Sequence, residues 1–162
     1  MSNSGWEEKA TLEKYLKDAK VWYQFVKKDQ VVRPPASLPE VVVDLTRVTK
    51  GFICQSSRGN YAFLIVPGNQ RVSLKRAAYT LGTPGLRLLT PSDAAAVAGY
   101  PPGAIPPFFH KTRMETVIDS ELLQYETIFC GGGSKKRLLE MRTADVVKLA
   151  SAVIAYISER EP

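Results

Sequence analysis

Residues 51–66 have the sequence GFICQSSRGNYAFLIV, in which two apolar runs flank the tetrapeptide Ser57-Arg58-Gly59-Asn60. The runs carry β-branched and aromatic side chains, which favour strands. Glycine and asparagine in the tetrapeptide tolerate the positive φ angles that a tight turn requires. The stretch therefore predicts a β-hairpin with strands at residues 51–56 and 61–66, around which the rest of the fold is built.

Two capping boxes precede the hairpin. In each, a serine and a glutamate three residues later can satisfy the first N–H groups of a helix. They predict a helix near the start of the chain and a short helix that ends near residue 47, with a strand between the two. The capping residues are Ser4 with Glu7 and Ser37 with Glu40, and the strand is residues 21–26.

Further helices and strands alternate irregularly after the hairpin, which predicts an α+β fold, a mixed sheet with flanking helices. We expect one domain over residues 1–162. A last helix is predicted to begin at Thr143 as its cap and to place Val147, Leu149, Ala150, Val153, Ile154 and Ile157 on one apolar face. The other predicted helices are residues 73–81 and 91–98, and the other predicted strands are residues 86–89, 115–119, 127–130 and 138–141.

Composition excludes several classes of protein. The chain has two cysteines and a single histidine, so neither a disulfide framework nor a zinc cluster is expected. We expect no metal and no cofactor, since Walker A and dinucleotide-binding glycine patterns are also missing. No run of about eighteen apolar residues occurs, which favours a cytoplasmic protein without a membrane partner. The net charge of +6 suits an anionic partner such as nucleic acid.

Residues 99–107, Gly-Tyr-Pro-Pro-Gly-Ala-Ile-Pro-Pro, contain four prolines and two glycines. Neither a helix nor a sheet ladder can run through such a segment. It therefore predicts a rigid, shaped loop, in which glycine lets the backbone approach a ligand and free N–H groups at Gly103 or Ala104 can face it.

Two side chains could be nucleophiles or bases, and for both a structural role is favoured. His110 could join Asp119 and a serine in a triad, but nothing in the spacing selects these residues, so a surface or hydrogen-bonding role is preferred. Cys130 precedes three glycines, yet no histidine is near it in sequence, and a small buried core residue is the preferred interpretation.

An ordered set of motifs resembles the YbaK and prolyl-tRNA synthetase editing-domain family, from about residue 49 to residue 157. The motifs are Val48-Thr49-Lys50, residues 63–68, residues 72–78, Ala98-Gly99-Tyr100, Gly103-Ala104-Ile105-Pro106-Pro107, Thr116-Val117-Ile118-Asp119, and residues 127–130 leading into Gly131-Gly132-Gly133. The chain departs from many relatives after Gly103, where they carry paired glycines and a serine-proline-x-glycine sequence. Pocket specificity is the property that this change affects.

The resemblance implies a hydrolase that removes a wrongly attached amino acid from tRNA, with a partly barrel-like sheet flanked by helices. Cysteine or alanine on tRNA(Pro), edited in trans, is the implied substrate. The acceptor end of tRNA is the implied partner, with prolyl-tRNA synthetase as a further one. Lys50 is the implied catalytic residue. The implied substrate-binding residues are Gly99, Tyr100, Gly103, Ala104, Ile105, Pro106, Pro107, Asp119, Gly132 and Gly133.

Within that framework Lys50 would supply a fixed positive charge that holds a phosphate or polarises the ester carbonyl. Asp119 would bind the ammonium group or the ribose hydroxyls of the substrate, or would orient Lys50. The attacking group is open between water, a ribose hydroxyl and the thiol of a misattached cysteine.

Two other functions fit the sequence. One is a binding module that recognises tRNA or another nucleotide without turnover, which the positive charge suits equally well. The other is a hydrolase of a small nucleotide or ester, whose affinity for a neutral substrate would hardly respond to salt.

Overall fold

A computed structural model describes residues 9–29 and 45–159 and has a mixed α/β fold. The predicted capping boxes and most of the short helix predicted to end near residue 47 lie outside the described residues. The helices are α1 (Lys9–Ala19), α2 (Leu74–Leu81), α3 (Pro91–Ala98) and α4 (Thr143–Ala150). The strands are β1 (Tyr23–Lys27), β2 (Thr49–Ser56), β3 (Tyr61–Pro67), β4 (Arg71–Val72), β5 (Leu86–Leu88), β6 (Glu115–Asp119), β7 (Thr127–Gly131), β8 (Arg137–Arg142), β9 (Val153–Ala155) and β10 (Ser158–Glu159). Short 3₁₀ turns occupy Leu45–Arg47 and Ser120–Gln124.

The predicted hairpin is confirmed as β2 and β3, and it forms the middle of a five-stranded sheet in the order β5-β2-β3-β6-β9. Gly59 in the turn has a φ of 91°. The pairing of β2 with β5 involves only Cys54, Gln55 and Ser56. The first half of β2 therefore has an edge that no strand of this sheet covers.

The remaining strands form two smaller sheets. An antiparallel sheet has the order β1-β8-β7, and β10 pairs with β4. Among the residues that the model describes, none of the three sheets closes into a barrel. The described helices also include none that is both long and apolar enough to cross a bilayer.

Strand β3 is buried on both faces. Phe63 and Ile65 pack towards α1, α3 and the three-stranded sheet, whereas Leu64 and Val66 pack towards α2. Burial on both faces explains why the sequence of β3 is continuously apolar rather than alternating. The two cores hold β2 and β3 rigidly, which fixes the position of the uncovered edge of β2.

Caps set the ends of α2 and α3. The Ser73 hydroxyl accepts a hydrogen bond from the Arg76 N–H, and Thr90 does the same for Asp93. Gly82, with a φ of 68°, ends α2 in the left-handed conformation that glycine adopts without strain.

The prediction for the last helix is wrong beyond residue 150. Helix α4 ends at Ala150, where Ser151 turns into the left-handed region, and β9 then pairs in parallel with β6. Val153 and Ile154 are about half exposed rather than packed on a helical core face. Thr143 does not cap the helix either, because its hydroxyl donates to the Tyr125 carbonyl at 2.6 Å. Branched residues suit a strand, and pairing with a distant strand decides between the two structures.

Candidate functional site

A cavity of about 290 Å³ lies against the uncovered edge of β2. Strand β2 forms one wall, and the loop of residues 99–107 faces it. The ends of β1 and β7 and the start of β8 complete the enclosure. The cavity is lined by Lys28, Val48, Thr49, Lys50, Gly51, Phe52, Phe63, Ile65, Gly103, Ile105, Pro107, Cys130, Gly131 and Leu138.

Lys50 stands on the edge of β2 and lines this cavity together with Gly103. By strand register it pairs with Val66, whereas Gly51 pairs with Ile65, so the two neighbours project to opposite faces of the sheet. Both line the cavity because it wraps around the uncovered strand edge. Lys50 is exposed, and its side chain makes no hydrogen bond or ion pair with any residue that the structure describes. Its ammonium group is therefore available to an anionic ligand.

The backbone of the loop reaches the cavity lining at Gly103. Gly103 has a φ of 79°, and its N–H bonds to no group within residues 9–29 and 45–159. The Ala104 N–H is not free, because it donates to the Pro101 carbonyl at 3.0 Å. Of the two N–H groups predicted to face a ligand, Ala104 is therefore excluded and Gly103 stays a candidate.

The loop is docked on the glycine turn that follows β7. The Gly133 N–H donates to the Ala104 carbonyl at 2.8 Å. A Cβ atom on Gly131 would lie 2.3 Å from the Ile105 carbonyl oxygen and 2.7 Å from the Ala104 carbonyl carbon. Only glycine at position 131 allows this approach, so the turn determines how far the loop stands from β2.

A second close approach shapes the opposite wall. A Cβ atom on Gly51 would lie 2.4 Å from the tip of the Phe63 ring, which crosses over β2 at that point. The same ring meets the His110 imidazole edge-on, with 5.1 Å between the ring centroids. Phe63 thereby forms part of the cavity floor and shields His110 from it.

Asp119 does not reach the cavity. It is fully buried, and one carboxylate oxygen accepts hydrogen bonds from the Ile157 N–H and the Ser158 hydroxyl, each at 2.8 Å. The other oxygen accepts from the Glu121 N–H at 2.8 Å. The expectation that Asp119 binds substrate or orients Lys50 is therefore corrected. Its hydrogen bonds instead join Ile157 and Ser158 to the end of β6.

Other predicted substrate-binding residues lie behind the cavity wall and support it. Gly99 ends α3 with a φ of 89°. The Tyr100 hydroxyl donates to the Phe109 carbonyl at 2.6 Å, and the Pro106 carbonyl lies 2.6 Å from His110 Nε2. These contacts hold the loop in place, and Gly99, Tyr100 and Pro106 do not line the cavity. Gly132 and Gly133 are also buried, and they do not line the cavity. Of the predicted substrate-binding residues, Gly103, Ile105 and Pro107 line it.

Arg137 holds the glycine turn from behind. Its Nε donates to the Gly132 carbonyl at 2.9 Å, and its guanidinium lies over the Phe25 ring at 3.5 Å. It also pairs with Glu13 of α1 at 3.5 Å. The turn, and through it the loop, is thereby tied to β1 and α1.

Near neutral pH Cys130 is a poor nucleophile, because its thiol stays protonated, and His110 is a weak base, because its pKa is low. Burial raises the pKa of the Cys130 thiol to about 12, and a hydrogen bond with Thr49 offsets this only in part. Burial lowers the pKa of His110 to about 4. A hydrogen bond with the Pro106 carbonyl raises the pKa, but this effect is smaller than that of burial. Cys130 is thus a protonated thiol in the wall, and His110 is a neutral, hydrogen-bonded side chain, as the preferred interpretations of the sequence held.

The chemistry that this cavity supports is electrostatic. No carboxylate or imidazole is found among its lining residues in the described part of the chain. The lining instead combines the cations Lys50 and Lys28 with the free Gly103 N–H, over an apolar floor that includes Phe63 and Ile65. Positive charge and a fixed donor in an apolar setting can stabilise an oxyanion that develops on a bound ester.

Lys28 and Gly131 are among the cavity residues that sequence reasoning did not assign to the site. Lys28 ends up close to the loop, since its Nζ would be 3.9 Å from a Cβ atom on Gly103. The sequence offered one indication of Lys28, the pair of adjacent lysines at and after the end of β1. Gly131 is the first of three glycines after Cys130. It must be glycine because the backbone of Ile105 packs against it, and Ile105 is distant in sequence.

Three comparisons place the chain among known proteins. A family model described as "Aminoacyl-tRNA editing domain" matches residues 30–149. A candidate Cys-tRNA(Pro)/Cys-tRNA(Cys) deacylase, EbsC, of Enterococcus faecalis (strain ATCC 700802 / V583) is 22% identical over 139 residues, which are 86% of this chain and 85% of that protein.

Solved structures share the fold. The crystal structure of the hypothetical protein APE2540 has a TM-score of 0.79 and 25% identity, and the match covers 91% of this chain and 99% of that one. A candidate trans-editing enzyme for prolyl-tRNA synthetase has a TM-score of 0.76 and 21% identity, with 93% and 96% covered. Because the family model spans most of the sequence, this chain belongs to the aminoacyl-tRNA editing domain family.

Proposed function

We propose that the chain is an aminoacyl-tRNA deacylase that hydrolyses the ester of mischarged tRNA in the cavity between β2 and the loop of residues 99–107. The observation that carries this proposal is the exposed Lys50 on the edge of β2, in one cavity with Gly103, where neither the ammonium group nor the Gly103 N–H has a partner among the described residues. Membership of the editing-domain family supplies the substrate class.

The proposed mechanism needs no protein nucleophile. An aminoacyl ester is already activated, so a positioned water and stabilisation of the developing negative charge suffice. Lys50 holds the phosphate or polarises the ester carbonyl, and the Gly103 N–H donates to the oxyanion. Thr49 keeps its hydroxyl engaged with the Phe129 carbonyl at 3.0 Å and acts as a wall.

The amino acid of the substrate is proposed to be cysteine or alanine, carried by tRNA(Pro) and edited in trans. The walls are apolar at Phe63, Ile65 and Leu138, which suits a small, weakly polar side chain. The name of the Enterococcus relative, a Cys-tRNA(Pro)/Cys-tRNA(Cys) deacylase, supports cysteine as the first substrate to test.

Turnover separates this proposal from the binding module. The protein is incubated with a tenfold excess of Cys-tRNA(Pro), Ala-tRNA(Pro) or Pro-tRNA(Pro), and released amino acid is measured over time. A deacylase releases several equivalents of cysteine or alanine per protein and spares proline. A module that only binds would slow the spontaneous loss of amino acid, and that result would reject the proposal.

A further inference from the structure

A strip of positive charge adjoins the cavity at Lys28. The strip consists of Lys27 and Lys28 at the end of β1 and Lys135 and Lys136 in the turn before β8, and we call these four residues the lysine ridge. They line one open groove together with Asp29. Lys28 lines both this groove and the Lys50 cavity, so the two are continuous.

The backbone holds the two halves of the ridge together. The Lys28 N–H donates to the Lys136 carbonyl at 3.0 Å, and Lys27 pairs with Arg137 in the register of β1 and β8. The backbones of Lys27, Lys28 and Lys136 are therefore held by or beside the β1–β8 ladder, and Lys135 is the next residue in the turn. Of the described residues that line the groove, Asp29 is the one that is acidic, so this part of the lining has a net positive charge.

The four ammonium groups have no ion-pair partner among residues 9–29 and 45–159. Like charges held side by side repel one another, and a polyanion relieves that repulsion. Basic residues elsewhere in the described chain include neutralised ones, such as Lys14 with Asp18 at 3.1 Å. The ridge thus has the charge pattern of a surface that binds a chain of phosphates.

We propose that the lysine ridge binds the backbone phosphates of the RNA acceptor stem, and that the 3′ end passes Lys28 to enter the Lys50 cavity. This inference rests on the proposed function for the identity of the RNA. Lys27, Lys135 and Lys136 lie outside the lining of the Lys50 cavity and make no contact with the ester itself. The ridge contributes affinity that depends on salt but not on the attached amino acid.

The test measures the affinity of an uncharged, fluorescently labelled RNA hairpin that carries an acceptor stem and a single-stranded 3′ end, at several salt concentrations. The Lys135→Gln/Lys136→Gln variant removes two positive charges from the ridge. Its matched control, Arg58→Gln/Lys148→Gln, also removes two positive charges. Both residues are exposed, and they lie in the β2–β3 turn and in α4.

We expect the ridge variant to weaken binding about tenfold at low salt and to reduce the slope of log Kd against log salt by about 1–2, because each phosphate contact contributes just under one unit. The control should keep the wild-type slope. Equal losses in both variants, or no loss in either, would overturn the proposal. Unchanged RNA affinity with weakened binding of a polyglutamate peptide would assign the ridge to an acidic protein surface and would also overturn it.

This measurement is independent of catalysis. Uncharged RNA carries no ester, so its binding does not require deacylase activity, and failure of deacylation and failure of the ridge give different results. Circular dichroism of both double variants checks that a lost interaction is not lost folding.

Discussion

The carbonyl oxygen of Ile105 lies so close to Gly131 that a Cβ atom on the glycine would stand 2.3 Å from it. This contact joins the two glycine-rich segments of the chain and sets the width of the cavity. The backbone of the loop cannot give way as a flexible side chain would, since Ala104 is also bonded to Pro101 and Gly133.

Gly131→Ala should therefore push the loop away from the turn. We expect a loss of about 1–3 kcal/mol in the free energy of unfolding from overpacking, and a loss of about 100-fold in the deacylation rate from displacement of Gly103. Gly85→Ala is the matched control, because a Cβ atom there meets nothing within 4 Å. A Gly131→Ala protein as stable and as active as the control would show that the contact does not hold the loop.

Gly103→Val tests the loop from the cavity side. A Cβ atom at Gly103 has open space, with Lys28 Nζ nearest at 3.9 Å, so the stability cost should be only the strain of a positive φ, about 1–2 kcal/mol. Deacylation should nevertheless fall by about 100-fold, since the branched side chain fills the space that the ester occupies.

The control for Gly103→Val is Gly59→Val, which has a φ of 91° and also meets nothing within 4 Å, but lies in the β2–β3 turn. It should share the loss of stability and keep full activity. Equal activity of the two variants would remove Gly103 from the proposed oxyanion site.

Local chemistry allowed much of the fold to be predicted from sequence. The hairpin is determined by Gly59 and Asn60, and α2 and α3 by caps at Ser73 and Thr90, which are interactions between near neighbours. The strand β9 was mistaken for helix because Val153 and Ile154 fit either pattern. Only the parallel pairing with β6, more than thirty residues earlier, decides their conformation.

The candidate site divides in the same way. Lys50 and the loop of residues 99–107 could be identified from sequence, because a motif and a run of prolines mark them. Asp119 was misassigned, since its hydrogen-bonding partners Ile157 and Ser158 are almost forty residues away. Lys28 was missed because nothing local shows that β1 ends beside the loop.

Cys130→Ala should keep the deacylation rate within about threefold of wild type, because a thiol whose pKa is raised to about 12 by burial is not a nucleophile near neutral pH. In the native protein, Cys130 should react slowly with iodoacetamide. Cys54 should react equally slowly, because burial also raises its pKa to about 12. Selective alkylation of Cys130 together with loss of activity in a folded Cys130→Ala protein would restore the cysteine as a nucleophile.

His110 should make the stability depend on pH. Its folded-state pKa is about 4 against 6.5 in the unfolded chain, so the unfolded state takes up a proton first. The stabilisation from His110 is complete above pH 6.5 and is lost as the pH falls towards 4. Between pH 7 and pH 5 the free energy of unfolding should fall by about 2 kcal/mol more in wild type than in His110→Gln. Parallel pH profiles from denaturant titrations would contradict the lowered pKa.

In the proposed mechanism Lys50 stabilises the charge that develops on an aminoacyl ester. The most direct measurement is the single-turnover rate of cysteine release from Cys-tRNA(Pro) by Lys50→Ala, beside Lys148→Ala as an exposed lysine outside the cavity. We expect Lys50→Ala to lose about 100–1,000-fold in rate with an unchanged unfolding midpoint, while Lys148→Ala stays at the wild-type rate. A folded Lys50→Ala protein that releases cysteine as fast as wild type would contradict the account.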